Sequence, residues 1–150
     1  MYGQRSEHEP LPWSWVEAEL AAAPTYWVAA GTTGHPAARP VWGVWREGVL
    51  HLSIGSPTLR HALDADPRVT VHLESGTDVV IVEGRATTGT TAPEVVSAYD
   101  AKYEWSYDAA VYGDLVRVEP AVVKAWRTAG WAGRDSFTAT GRWTFPPSSP

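Results

Sequence analysis

The sequence predicts an α+β domain, mainly β, with a mostly antiparallel sheet and a few short helices. Three observations lead there. Six or seven short segments are rich in β-branched and aromatic residues and are bounded by Gly, Pro, Asp or Ser turn chemistry. Three stretches show helical spacing behind recognisable start signals. The chain has 150 residues, about the size of one domain and one core, so residues 1–150 are expected to form a single unit with loose ends at about 1–12 and 146–150.

The elements follow in chain order. Ser14-Trp15-Val16-Glu17 has the form of a capping box, and Val16, Leu20 and Ala23 recur at helical spacing, which predicts a helix over Trp15–Ala23 before Pro24. Tyr26–Ala30 is β-prone, and Gly31–Gly34 with His35-Pro36 supplies a turn. Ala38–Trp45, a Glu47-Gly48 hairpin turn and Val49–Ile54 complete an antiparallel meander. Ser56 stands as N-cap and Pro57 as first-turn residue of a helix through Ala65, ended by Asp66-Pro67. Val69, Val71 and Leu73 alternate with Thr70, His72 and Glu74 as a half-buried strand, and Asp78–Thr87 is the next. Thr91-Ala92-Pro93-Glu94 opens a helix through about Lys102. Leu115–Val118 and Val122–Arg127 read as two further strands, followed by a glycine-bearing loop from Thr128 to Arg134 and a last segment around Arg142–Phe145.

Composition narrows the chemistry. There is no cysteine, which rules out disulfides, thiolate–metal sites and a cysteine nucleophile. The net charge of −5 argues against a nucleic-acid binder with a broad basic face. Met1–Pro12 is polar and holds no signal-peptide core, and the longest apolar stretches, such as Val79–Val82, are far short of a membrane span, so a soluble cytoplasmic protein is expected, without nucleic-acid or membrane partners. Nine tryptophans, and ten arginines against two lysines, offer large faces for a core, a subunit interface or ring stacking.

No G-x-S-x-G elbow, P-loop, G-x-G-x-x-G or H-E-x-x-H occurs, which removes the best evidence for hydrolase, nucleoside-triphosphatase and zinc-protease readings. The five histidines lack helical metal spacing, and no metal site is expected; His51 and His72 fall in strands where an ordinary structural role outweighs ligation. Asp64 and Asp66 are read as a solvated helix end.

One corner has a physical reason to bind an anion. Ser53-Ile54-Gly55-Ser56-Pro57-Thr58-Leu59-Arg60-His61 runs from a strand through a turn into a helix N-terminus. Free N–H groups and the helix dipole favour negative charge there, Ser56 and Thr58 offer hydroxyls, and Arg60 offers a bidentate fork. The competing reading is a capped helix with a solvent-facing arginine.

The stretch from Tyr26 to Gly84 resembles the pyridoxamine 5′-phosphate oxidase-like superfamily of flavin- and deazaflavin-binding proteins. The residues that carry the resemblance are Tyr26–Ala30, Gly34-His35-Pro36, Arg39-Pro40-Val41-Trp42-Gly43-Val44-Trp45, Gly48–Ser53, Ser56–Leu63, Asp66-Pro67-Arg68-Val69 and Val79–Gly84, with Ala125-Trp126 and Thr138–Phe145 similar to its closing strands. The resemblance implies a six-stranded antiparallel split β-barrel with short flanking helices, working as a homodimer with two coenzyme sites at the interface. It further implies that Ser56, Thr58, Arg60 and His61 lie against a phosphate, with Gly55 in the turn. The coenzyme ring would lie along Pro40, Val41, Trp42 and Gly43 and beside Ser53, and Arg142 and Trp143 of the partner subunit would complete the pocket. His61-Ala62 departs from the family pattern, which more often has a cation there followed by Asn.

The function implied is an oxidoreductase that uses the deazaflavin coenzyme F-420 or FMN to pass a hydride to or from a small unsaturated or quinone-like substrate. The coenzyme would supply the chemistry, so no protein acid is compulsory; Tyr26, His51 and His72 are the candidates. The alternative is a non-catalytic protein of the same fold that holds a flavin, haem or another small molecule. Pyridoxamine-phosphate oxidation itself is disfavoured, because Arg142-Trp143 lacks a histidine two residues after the arginine.

Overall fold

The computed structural model describes residues 9–128 and 137–147. The elements are β1 (Glu9–Pro10), α1 (Trp13–Ala22), β2 (Tyr26–Ala30), β3 (Ala37–Arg46), β4 (Val49–Ser53) and α2 (Pro57–Ala65). They continue with β5 (Arg68–His72), β6 (Asp78–Thr87), α3 (Pro93–Tyr103), α4 (Ala109–Tyr112), β7 (Val116–Thr128) and β8 (Phe137–Thr144). Strands β7, β4, β3, β2, β5 and β6 pair antiparallel in that order, and β6 pairs back onto β7, closing a six-stranded barrel. Beyond the barrel, β8 lies antiparallel on β7 and carries β1 parallel to it. Among the described residues no helix is long and apolar enough to cross a membrane.

Alternation fills the barrel. Tyr26, Val28, Leu50, Leu52, Val69, Val71, Val80, Val82, Val116, Val118, Val123 and Ala125 point inward, and Val16 and Leu20 of α1 and Leu59 and Leu63 of α2 join the same cluster. Each Leu or Val so buried is worth about 1.5–3 kcal/mol relative to exposure. A second cluster lies outside the barrel, where α3 covers β3 and β4: Val44, Val95, Tyr99, Tyr107 and Leu115.

Local chemistry explains several boundaries. Glu47 and Gly48 both take positive φ, 51° and 77°, as a two-residue hairpin turn between Arg46 and Val49 requires. The Ser56 hydroxyl accepts the Leu59 N–H at 3.2 Å, so α2 starts where its cap and Pro57 place it. Asp66 and Arg68 close its far end with a bidentate pair, Nη2 to Oδ2 2.7 Å, and this bonding holds the Asp66 carboxyl down to about 2.

Four features differ from the sequence-based expectation. The Ser14–Glu17 capping box does not form: α1 begins at Trp13 behind Pro12, with no side-chain cap, because Trp13 is drawn into packing against Trp45, Trp143 and Phe145. Glu17 instead accepts the Trp45 indole N–H at 3.1 Å. The two strands expected on either side of Pro120 are one, β7. A bulge opposite Glu83/Gly84 leaves Ala121 without a partner on β6 and absorbs Pro120, a strand position that tolerates proline. A fourth helix, α4, and the short strand β1 form where the sequence predicts no element, β1 within the expected loose N-terminal end. The loop expected at Thr128–Arg134 lies, but for Thr128 at the end of β7, outside the described residues, as do most of the expected loose ends.

Candidate functional site

The site forms where β2 stops short of β3. Tyr26, the first residue of β2, pairs with Val41, so the next edge groups of β3 have no strand beside them and α3 takes their place. The Tyr103 hydroxyl accepts the Gly43 N–H at 2.9 Å and lies 2.9 Å from the Gly43 carbonyl. The Lys102 ammonium donates to that same carbonyl at 2.8 Å and to the Tyr26 hydroxyl at 2.9 Å. Gly43 is required: a Cβ there would lie 2.6 Å from Leu52 Cδ2 and 2.7 Å from the His51 carbonyl oxygen. With α3 seated in this way, the Tyr103 ring stacks on Trp42 at 4.4 Å and 5°.

Burial sets the protonation of these groups. Desolvation lowers Lys102 to about 8, and it raises Tyr26, Tyr99, Tyr103 and Tyr107 above the usual phenol value. The four phenols therefore stay protonated at neutral pH.

A pocket of about 460 Å³ opens in front of Trp42, within the ~300–1,000 Å³ typical of small-molecule sites. Its floor is the Arg39–Trp42 stretch of β3 with Ser53, which pairs with Trp42 across β4. One end is the Gly55-Ser56 turn into α2, and the far wall is aromatic: Tyr99, Trp105, Tyr107 and Tyr112. The segment after α3 holds that wall in place. Asp100 Oδ1 accepts the Tyr107 N–H at 2.8 Å, Asp108 caps α4 through the Ala110 N–H, and the Tyr107 hydroxyl donates to the Gly113 carbonyl. Thr91 ties the following turn, donating N–H and O–H to Asp114 Oδ1 at 2.9 and 3.0 Å. Trp42, Trp105, Val111 and Tyr112 are 42–69% exposed and are the large exposed hydrophobics among the described residues. Three of them line this one pocket.

Of the residues expected at the site, Pro40, Val41, Trp42, Ser53, Gly55 and Ser56 come together around the pocket. Gly43 sits behind Trp42 with its backbone taken by α3. Thr58 and His61 are exposed on α2 and do not line it. Arg60 turns back: its Nε–H donates to the Ile54 carbonyl and Nη2 to the Asp114 carbonyl at 3.3 Å, and it lines a separate cavity with Leu63 and Thr87. On β8, Arg142 is exposed, while Trp143 packs on Trp13 at 5.2 Å, away from the pocket of its own chain.

None of the three candidate acids faces the pocket. Tyr26 is fully buried and bonded to the Leu20 carbonyl. His72 stacks on Trp27 at 6.3 Å and 3°. Two strands, β3 and β2, separate His51 from His72, so the two do not meet. The aromatic wall escaped the sequence reading, although Asp108 as a cap and Gly113 as a positive-φ terminator, 78°, were a legible signal for the short helix that carries Tyr112.

The donor set suits a planar, partly polar ring: stacking faces at Trp42 and Trp105, hydroxyls at Ser53 and Ser56, and one cation, Arg39. It offers a phosphate less than the turn alone suggested, since Arg60 is already engaged.

No family model matches the sequence, and no curated protein does either. Solved structures do match. An FAD-binding protein from Mesorhizobium loti is 20% identical with a TM-score of 0.58, covering 75% of this chain and 92% of its own. A Listeria innocua protein provisionally described as a pyridoxamine 5′-phosphate oxidase is 13% identical, TM-score 0.60, over 75% of this chain and 95% of its own. An F420 reductase is 19% identical, TM-score 0.53, over 70% and 93%. At these identities the likeness speaks for architecture, and together with the closed six-stranded barrel it establishes that this chain has the pyridoxamine 5′-phosphate oxidase-like split-barrel fold.

Proposed function

We propose that the protein binds a flavin-type coenzyme in the Trp42 pocket and works as a cytoplasmic homodimeric oxidoreductase, passing a hydride to or from a small unsaturated or quinone-like molecule. The observation that carries this reading is the pocket itself: a β3 floor and an aromatic wall that leave a ring-sized slot ending at the N-terminus of α2. Solved proteins of the same fold include one described as FAD-binding and one described as an F420 reductase.

Bound there, the coenzyme supplies the hydride chemistry. The chain's own residues do the rest. Trp42 and Trp105 offer faces for a ring and exclude water from them, and Ser53 and Ser56 offer polar contacts at its edge. The Gly55-Ser56 turn and Arg39 favour negative charge at the tail end. The exposed rim formed by Trp42, Trp105, Val111 and Tyr112 gives a second subunit an apolar surface to cover, with Arg142 of the partner subunit as a further cation. A deazaflavin is favoured over FMN, its tail meeting Arg39 of one chain and Arg142 of the partner subunit. A long polyanionic tail gains from dispersed contacts, whereas a single phosphate wants a tight cradle.

Absorption titration of the purified protein with FMN and with deazaflavin tests the proposal. Saturable binding of at least one, tighter for deazaflavin at low salt, is expected. Arg39→Ala should weaken binding about tenfold, the low end of a charge-assisted contact because Arg39 is exposed. Arg68→Ala should change it little, because Arg68 is occupied by Asp66 and lies outside this pocket. Equal losses in the two variants, or no binding of either coenzyme, would refute the assignment. Binding without oxidation or reduction of any electron donor would instead leave a storage or sensing role.

A further inference from the structure

On the outer face of the sheet, three adjacent strands place Val44 of β3, His51 of β4 and Arg117 of β7 side by side. Leu50 and Leu52 on either side of His51 belong to the barrel core, so His51 faces outward, beneath the start of α3. It is 8% exposed, the one buried residue of charged type among the described residues. Neither of its ring nitrogens has a hydrogen-bond partner among those residues. A buried polar group is normally satisfied, and leaving one unmet costs on the order of 1–3 kcal/mol.

What His51 faces is a cavity of about 270 Å³. Arg46 and Arg117 line it from the sheet, and Ala92, Glu94 and Val95 line it from the first turn of α3. Three carboxylates belong to the same surroundings. Glu94 lines the cavity, and Glu47, which also lines it, is 3.9 Å from Arg46 with its side chain 84% exposed. Arg117 also lies 3.7 Å from Glu119. His51 is held below the usual imidazole range, first by burial and then by Arg117 and Arg46. The cavity floor is therefore a neutral imidazole with one N–H to give, flanked by two guanidiniums and lying under the N-terminal end of an eleven-residue helix.

We propose that this cavity is an anion site, separate from the Trp42 pocket, that takes a phosphate-sized oxyanion between the Arg46 and Arg117 guanidiniums with the His51 ring donating to it. Val44, Val95, Tyr99 and Tyr107 pack between the two sites, so occupancy here is compatible with a ligand in the other. Both line the same face of β4, through His51 and Ser53 respectively.

The test is a titration of the wild-type chain with inorganic phosphate at fixed pH, read on the histidine ring signals by NMR, with sodium chloride at matched ionic strength as reference. A saturable shift of the His51 ring, not reproduced by chloride, is expected. Arg117→Gln and Arg46→Gln should each weaken it about tenfold while keeping the wild-type amide spectrum; two variants guard against one failing to fold. Arg85→Gln, whose side chain lies outside this cavity, should leave the midpoint unchanged. No saturable shift at His51, an equal response to chloride, or an unchanged midpoint in a folded Arg117→Gln or Arg46→Gln variant would overturn the proposal.

Discussion

Arg60 sits in α2 with its guanidinium bridging the end of β4, at the Ile54 carbonyl, to the turn before β7, at the Asp114 carbonyl. Ile54 is 1% exposed, so Arg60→Ala strands an acceptor with little access to water. A stability loss of about 1–3 kcal/mol is expected, seen as a lower urea midpoint at unchanged slope. Unchanged stability with a selective loss of coenzyme affinity would instead put the guanidinium on the phosphate, as the sequence alone suggested. Lys102 makes the opposite kind of commitment, a cation set among Tyr26, Tyr103 and the Gly43 carbonyl. Its pKa is about 8 folded and ~10.4 unfolded. Between those values the unfolded chain holds more protons, so this residue's contribution to stability rises with pH from about 8. Above roughly pH 10 the raised tyrosines reverse the trend, because their unfolded forms then lose protons first. Denaturation at pH 7.5 and 9.5 should show a rise in wild type that Lys102→Met flattens; parallel behaviour of the two proteins would count against an ammonium whose pKa is lowered by burial.

At the scale of elements, what was legible in the sequence is what local chemistry decides. The meander β2 to β4 was marked by alternation and by the Glu47-Gly48 turn, and α2 by Ser56 and Pro57, and each lies within a residue or two of expectation. What was not legible depends on distant partners. The start of α1 moved because Trp13 finds Trp45, Trp143 and Phe145. Pro120 read as a strand break because nothing nearby in sequence announces the bulge that accommodates it. The bulge has a testable signature in Gly84, where a Cβ would lie 2.4 Å from the Glu119 carbonyl oxygen. Gly84→Ala should cost about 1–3 kcal/mol by forcing β6 and β7 apart, measured by thermal or urea unfolding. Gly89→Ala, where a Cβ meets nothing within 4 Å, should be close to neutral. Equal stability of the two variants would contradict the close approach. The same division runs through the site: its β3 floor and its α2 turn could be read from one strand and one cap, whereas the aromatic wall comes from the irregular stretch around α4, where neither helical nor strand periodicity points to a face.

The whole molecule is a barrel whose interior is filled by its own side chains, so its function has to lie on the outside, and the outside is uneven. The exposed large hydrophobics among the described residues gather at or beside the Trp42 pocket, a concentration that marks a candidate surface for a ligand or partner to cover. On the proposed function, a coenzyme would cover part of it and a second subunit the rest. Assembly and coenzyme binding should then be linked, each strengthening the other. Sedimentation velocity of the purified protein at micromolar concentration, followed at the coenzyme's visible absorption, measures both at once. The expected result is colour moving with a particle of twice the 16.3 kDa chain mass; colour moving with the single chain, or remaining unsedimented while the protein moves without it, would contradict the account.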